Sequence, residues 1–178
     1  MTLHIDQALW FLVSTILTML ALLGLVRAAS DAGRLSYAHP LMQLLLRWTP
    51  PRHPRLHHGR RMAFNPAAWG CTFAALLIMV ILRVAILGGI YPTPAMLILE
   101  GILATVHLTL VFYIVVILFD AIMSWFSGTY SLRGIFSPLS APILAPFRRL
   151  VPARHGFDIS PLIAIMVLMT LLVLLPRG

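Results

Sequence analysis

Three groupings of polar side chains in this sequence have the spacing to do chemistry. The first is Arg148-Arg149 with Asp158. Pro146 and Pro152 bracket the arginines and stiffen the segment, because each fixes its own φ. Asp158 stands just ahead of Ser160-Pro161 and an apolar run. A carboxylate at that place complements the dipole of the helix it precedes. An Arg–Asp pair would fold the segment back onto the helix start. Two readings follow: a structural staple, or a docking surface for lipid phosphate or a partner's acidic face. The second grouping is Arg27 and Asp120, each at the end of an apolar run. Aligning the two halves on Trp125, with Ala32 in the tryptophan's place, sets Arg27 opposite Asp120. Charges near bilayer depth are usually paired and face the bundle interior. An Arg27–Asp120 ion pair is therefore one expectation, and two separately snorkelling side chains the other. The third grouping is His53, His57 and His58. Their spacing would suit a metal on a helix, but Pro50, Pro51 and Pro54 oppose a helix there and no Cys or carboxylate joins them. This reads as a solvated basic loop.

Other polar groups stand alone. His107 lies in the middle of an apolar run. It reads either as a proton relay or haem ligand, or as a side chain bonded to a neighbouring helix, with Thr105, Thr109 and Tyr113 close in sequence. Arg83 and Glu100 flank a short connection holding Gly88-Gly89 and Pro92-Thr93-Pro94, a hairpin that would bring them near one another. There is no nucleophile with a nearby base, no phosphate loop and no His-Glu-x-x-His. The expectation is a protein that is not an enzyme and carries no metal or cofactor.

The elements that must position these groups are apolar. Of the 178 residues, 60% are hydrophobic and 10% charged, against roughly 25% charged in a soluble domain. Four stretches approach the length of about 20 residues that a helix needs to cross a bilayer: 7–26, 65–90, 101–119 and 159–175. None shows the polar stripe of a soluble bundle helix. The first lacks a basic n-region and reads as a retained span, not a signal peptide. All 13 basic residues are arginine, and 11 fall in the two connections 27–64 and 120–158. The positive-inside rule places both connections in the cytoplasm and both termini outside. With the formal net charge at +8, the expected anionic partner is the headgroup layer of a lipid bilayer, not nucleic acid.

Each half runs span, basic connection, span. Asn65-Pro66 and Ser160-Pro161 supply a capping side chain followed by proline at the first helical position. Within the connections, 39–48 carries Leu41, Leu44, Leu45 and Trp48 at helical spacing, and 133–141 reads as a shorter surface helix stopping before Pro142. Gly70 and Ala74 suggest a close-packing face on the second span.

The second connection resembles the YggT family. The residues that carry the likeness are Ala121-Ile122-Met123-Ser124-Trp125, Ala141-Pro142-Ile143-Leu144-Ala145-Pro146-Phe147-Arg148-Arg149-Leu150-Val151-Pro152 and Gly156-Phe157-Asp158-Ile159-Ser160-Pro161. The first half is similar through Arg27, His39-Pro40, Gln43 and Thr49, but has Arg55-Leu56-His57-His58 where the family's arginine pair and proline would stand. No acidic residue precedes Asn65-Pro66, so only the second half is expected to hold an arginine–aspartate constellation. The resemblance implies a bacterial inner-membrane protein with plastid relatives. It links the chain to osmotic tolerance and ion homeostasis, cell division, and assembly of membrane complexes including plastid b-type cytochromes. The expected architecture is an all-α integral membrane protein of two tandem span–amphipathic surface helix–span repeats, 1–90 and 91–178. The expected role is a scaffold or assembly factor, with other membrane proteins or further copies as partners. The alternative is a transporter or channel component for ions or osmolytes.

Overall fold

A computed structural model of the chain describes residues 2–33, 35, 40–48, 65–87, 93–125, 130–150 and 158–176. Every element among them is a helix: α1 (Thr2–Ala32), α2 (Pro40–Trp48), α3 (Pro66–Leu87), α4 (Pro94–Trp125), α5 (Tyr130–Leu150) and α6 (Ser160–Leu174). Ile5–Ala32, Pro66–Leu87 and Pro94–Ser124 are long and apolar enough to cross a membrane, and Ser160–Leu174 is a shorter apolar helix. At 1.5 Å per residue the 31-residue α1 is about 46 Å long, well beyond a hydrocarbon core of about 30 Å. The first span therefore continues past Val26 as helix, and Arg27 and Asp31 ride on it. The same holds for Asp120 and Ser124 on α4.

Large apolar side chains such as Phe11, Leu12, Ile16, Met166 and Val173 point outward. In water such a surface would drive aggregation; in lipid it is the solvated face. The protein is membrane-embedded. Two apolar clusters hold the helices together. One joins Ala29 of α1, Tyr113, Ile114, Val116 and Ile117 of α4, Leu139 and Leu144 of α5, and Ala164 and Leu168 of α6. The other joins Ala21 of α1 with Ala75 and Leu76 of α3.

Helix α1 meets α3 through small residues. A Cβ on Gly24 would run into Thr72 Oγ1 and come within 3.1 Å of Ala68 O. Thr72 Oγ1 contacts its own helix at Ala68 O (3.1 Å) and crosses to Ala21 O (3.3 Å). Backbones this close gain dispersion where no hydrophobic force separates protein from lipid. The close-packing face of α3 is thus Ala68, Thr72 and Ala75, not Gly70 and Ala74. Those two are exposed, and Gly70 has open space around it.

The surface helices differ from their sequence pattern. In α2, Met42 and Leu45 are buried, while Gln43, Leu44 and Arg47 are exposed. The helix forms as expected, but its inward stripe runs through Met42 rather than Leu44, because α2 packs against α1. In the second connection the helix does not stop before Pro142. Helix α5 runs on to Leu150 with Pro138, Pro142 and Pro146 inside it. Prolines four apart remove three N–H donors, at the carbonyls of Gly134, Pro138 and Pro142. Burial of Leu139, Ser140 and Leu144 against α1, α4 and α6 offsets that loss.

Candidate functional site

The polar side chains gather where α1 and α4 end and α3 and α6 begin. Four contacts fix this end of the bundle: Asp31 with Asn65, Gly33 with Pro138, Asp120 with Ser140, and Arg148 with Asp158.

The first contact is built on a buried charge pair. Arg27 Nε donates to Asp31 Oδ2 at 3.0 Å, one turn on along α1. Asn65 Nδ2 donates to the same oxygen at 2.7 Å. Asn65 Oδ1 meanwhile accepts from the backbone N–H groups of Ala67 (3.1 Å) and Ala68 (3.2 Å), capping α3. One carboxylate thus ties the end of α1 to the start of α3. Arg27 is only 5% exposed, and its Nη1 is buried without a hydrogen-bond partner among the described residues. Among the described residues, Asp31 is the carboxylate that balances the cation.

Asp120 is also 5% exposed, and it takes a different partner. Ser140 Oγ of α5 donates to Asp120 Oδ2 at 2.6 Å. Stacked Phe119 and Phe136, 5.4 Å between ring centroids, close the same α4–α5 seam. The ion pair between Arg27 and Asp120 does not form. Asp31 lies one helical turn from Arg27, so the local partner wins over one on another helix.

The fourth contact joins α5 to α6. Arg148 Nε donates to Asp158 Oδ2 at 3.1 Å, and the backbone N–H of Ser160 donates to Asp158 Oδ1 at 3.0 Å. Asp158, not Ser160, therefore supplies the acceptor at the start of α6. Pro161 sits in the first turn, buried with Ser160. Burial raises the Asp158 carboxyl. The bonds from the Ser160 hydroxyl and backbone and from Arg148 outweigh it and hold the group below its usual value. A carboxyl lowered in the folded state stabilises the fold fully above its unfolded value of about 3.9. That stabilisation is lost as pH falls through the lowered folded value. Both partners are partly exposed, so the pair contributes at most about 1 kcal/mol. Asp158→Asn should flatten the acid limb of a thermal-stability profile below about pH 4; an unchanged limb would refute the assignment.

The remaining sequence candidates are dispersed. Arg149, Pro146 and Ser124 are exposed, Pro142 is half-buried, and Pro152 and the Trp125 side chain lie outside the described residues, as do His53, His57 and His58. Arg83 is exposed on α3 and Glu100 half-buried on α4, and they form no ion pair. Thr105 and Thr109 each donate back to their own helix, at Gly101 O and Thr105 O, and His107 is half-buried between them in sequence. No cluster of metal-ligating side chains occurs among the described residues. Sequence reasoning missed Asp31, Ser140 and Gly33. The spacing of Arg27 and Asp31 was legible, but only to a reader who let α1 run past Val26. It also corrects the first half: no acidic residue precedes Asn65, yet Asp31 brings a carboxylate to it from α1.

Comparison with known proteins identifies relatives of the whole chain. The CCB3/YggT family model matches residues 99–177, from within α4 to beyond α6. The chain is 30% identical over 169 residues to the uncharacterized protein YggT of Escherichia coli K12, covering 91% of this chain and 86% of that one. An uncharacterized protein of Haemophilus influenzae is 28% identical over 162 residues, covering 89% of this chain and 86% of its own. An uncharacterized protein of Pseudomonas aeruginosa is 26% identical over 174 residues, covering 92% and 86%. No solved structure matches the chain. Coverage this even, across both halves and at this identity, means that the chain belongs to the YggT family.

Proposed function

We propose that this protein is a small non-enzymatic scaffold or assembly factor of the bacterial inner membrane. Two tandem units, 1–90 and 91–178, each contribute a span, a surface helix and a second span, with α6 as the fourth crossing. The polar end of the bundle lies at the cytoplasmic leaflet, and both termini lie on the periplasmic side. Its partners are other membrane proteins or further copies of itself, in processes such as osmotic tolerance, cell division or membrane-complex assembly. The observation that carries the reading is how the polar groups at the helix ends are used. Arg27 binds Asp31, Asp31 binds Asn65, Asp120 binds Ser140 and Arg148 binds Asp158. Side chains that could have lined a pore or a catalytic pocket are committed to fixing helix ends. A rigid frame displaying α2 and α5 is what such clamps produce.

Site-specific cross-linking from exposed positions on α2 and α5 in native membranes tests this. Discrete adducts with one or a few membrane proteins are expected. Adducts with lipid alone, or flux of K⁺ or small osmolytes through the purified protein in liposomes, would replace the scaffold by a peripheral lipid binder or a transporter.

A further inference from the structure

The two neighbouring arginines at the end of α5 have separate tasks. Arg148 is committed to Asp158. Arg149 is exposed and has no ion-pair partner among the described residues. Beside it Leu150 is 78% exposed. Their depth is set by the clamp: Arg148 touches Asp158, and Asp158 sits at the entry of apolar α6. Arg149 and Leu150 are therefore held at the level where an apolar helix enters the bilayer. At that boundary an arginine reaches phosphate while an adjacent leucine dips toward the acyl chains. Helix α2 ends with the same pairing, Arg47 exposed beside Leu44 at 57% exposure. Five acidic residues against 13 basic ones leave a chain of net charge +8. A surface of free guanidinium and bare leucine at headgroup depth is complementary to anionic phospholipid.

We infer that Arg149 with Leu150 forms an anionic-phospholipid headgroup site, Arg149 binding the phosphate while Arg148 serves only the internal clamp. This rests on the membrane orientation of the scaffold reading but not on any protein partner.

The test uses the full chain, delipidated in mild detergent and titrated with phosphatidylglycerol or phosphatidylcholine, with bound lipid counted by native mass spectrometry. Phosphatidylglycerol should bind more tightly than phosphatidylcholine. Arg149→Gln should weaken phosphatidylglycerol binding about fivefold, the share of one basic side chain near an anionic surface. Its lipid-free melting temperature should stay that of the wild type. Leu150→Ser should weaken both lipids. Equal binding of the two lipids would overturn the inference, as would an Arg149→Gln protein that binds phosphatidylglycerol normally. Displacement of the lipid by millimolar inorganic phosphate would also overturn it, since the site would then be one for a free anion. A protein with the lipid preference but no cross-linked partner loses the scaffold reading alone; the reverse result loses only this site.

Discussion

Replacing Asp31 by alanine is expected to destabilise the protein by about 3–5 kcal/mol, the usual cost of stripping one partner from a buried ion pair. The Arg27 guanidinium is buried, its Nη1 lacks a partner among the described residues, and Asp31 is the carboxylate that balances it there. The variant also frees Asn65 Nδ2, leaving the amide that caps α3 held at one end only. The double replacement Arg27→Met with Asp31→Leu should recover most of the loss, because it removes the charge together with its counter-charge. Unfolding in mixed micelles titrated with sodium dodecyl sulfate reads both variants. A single Asp31→Ala variant within about 0.5 kcal/mol of the wild type would mean that Arg27 reaches water or lipid phosphate and that the pair is not buried. A double variant as unstable as the single one would mean that the carboxylate acts through Asn65 alone.

That pair also marks where the sequence can and cannot be read. Three of the four expected spans are matched by helices long and apolar enough to cross a membrane, because lipid demands about 20 apolar residues without interruption. The Arg148–Asp158 contact was legible because its members are close in sequence and one precedes a capped helix. The sequence marks Asp120 as a charge at a helix end but points to the wrong partner. Alignment of two similar units says which positions are equivalent, not which side chains touch. Its actual partner, Ser140, is one hydroxyl among several in α5, and only the packing of α5 on α4 selects it. Local rules end helix α5 before Pro142, since an interior proline costs about 3 kcal/mol. Burial of Leu139 and Leu144 by three other helices reverses that preference, a tertiary gain invisible to propensity.

Gly33→Ala is expected to cost about 3 kcal/mol or more, for a reason that begins in those prolines. Pro142 has no N–H, so the carbonyl of Pro138 has no donor one turn ahead and is free to face outward. Gly33, just past the end of α1, stands against that carbonyl: a Cβ there would land on the oxygen, with the carbonyl carbon 2.6 Å away. With only hydrogens on Cα, glycine can instead offer a weak C–H···O contact. Backbone cannot swing aside as a side chain can, so the added methyl must push α5 off α1 and open the seam around Ala29 and Leu139. The demand is one of space, and the same substitution elsewhere should have the opposite sign. Gly70→Ala, on a helix face with nothing within 4 Å, should stabilise α3 by about 0.5–1 kcal/mol. Adding Pro142→Ala to Gly33→Ala should restore about 1 kcal/mol of the loss, because the new N–H draws the Pro138 carbonyl back into its own helix. Thermal unfolding in detergent, followed by size-exclusion chromatography, ranks the three variants. If Gly33→Ala melts with the wild type, α1 and α5 are not in backbone contact at Gly33, and the seam between them rests on side chains alone.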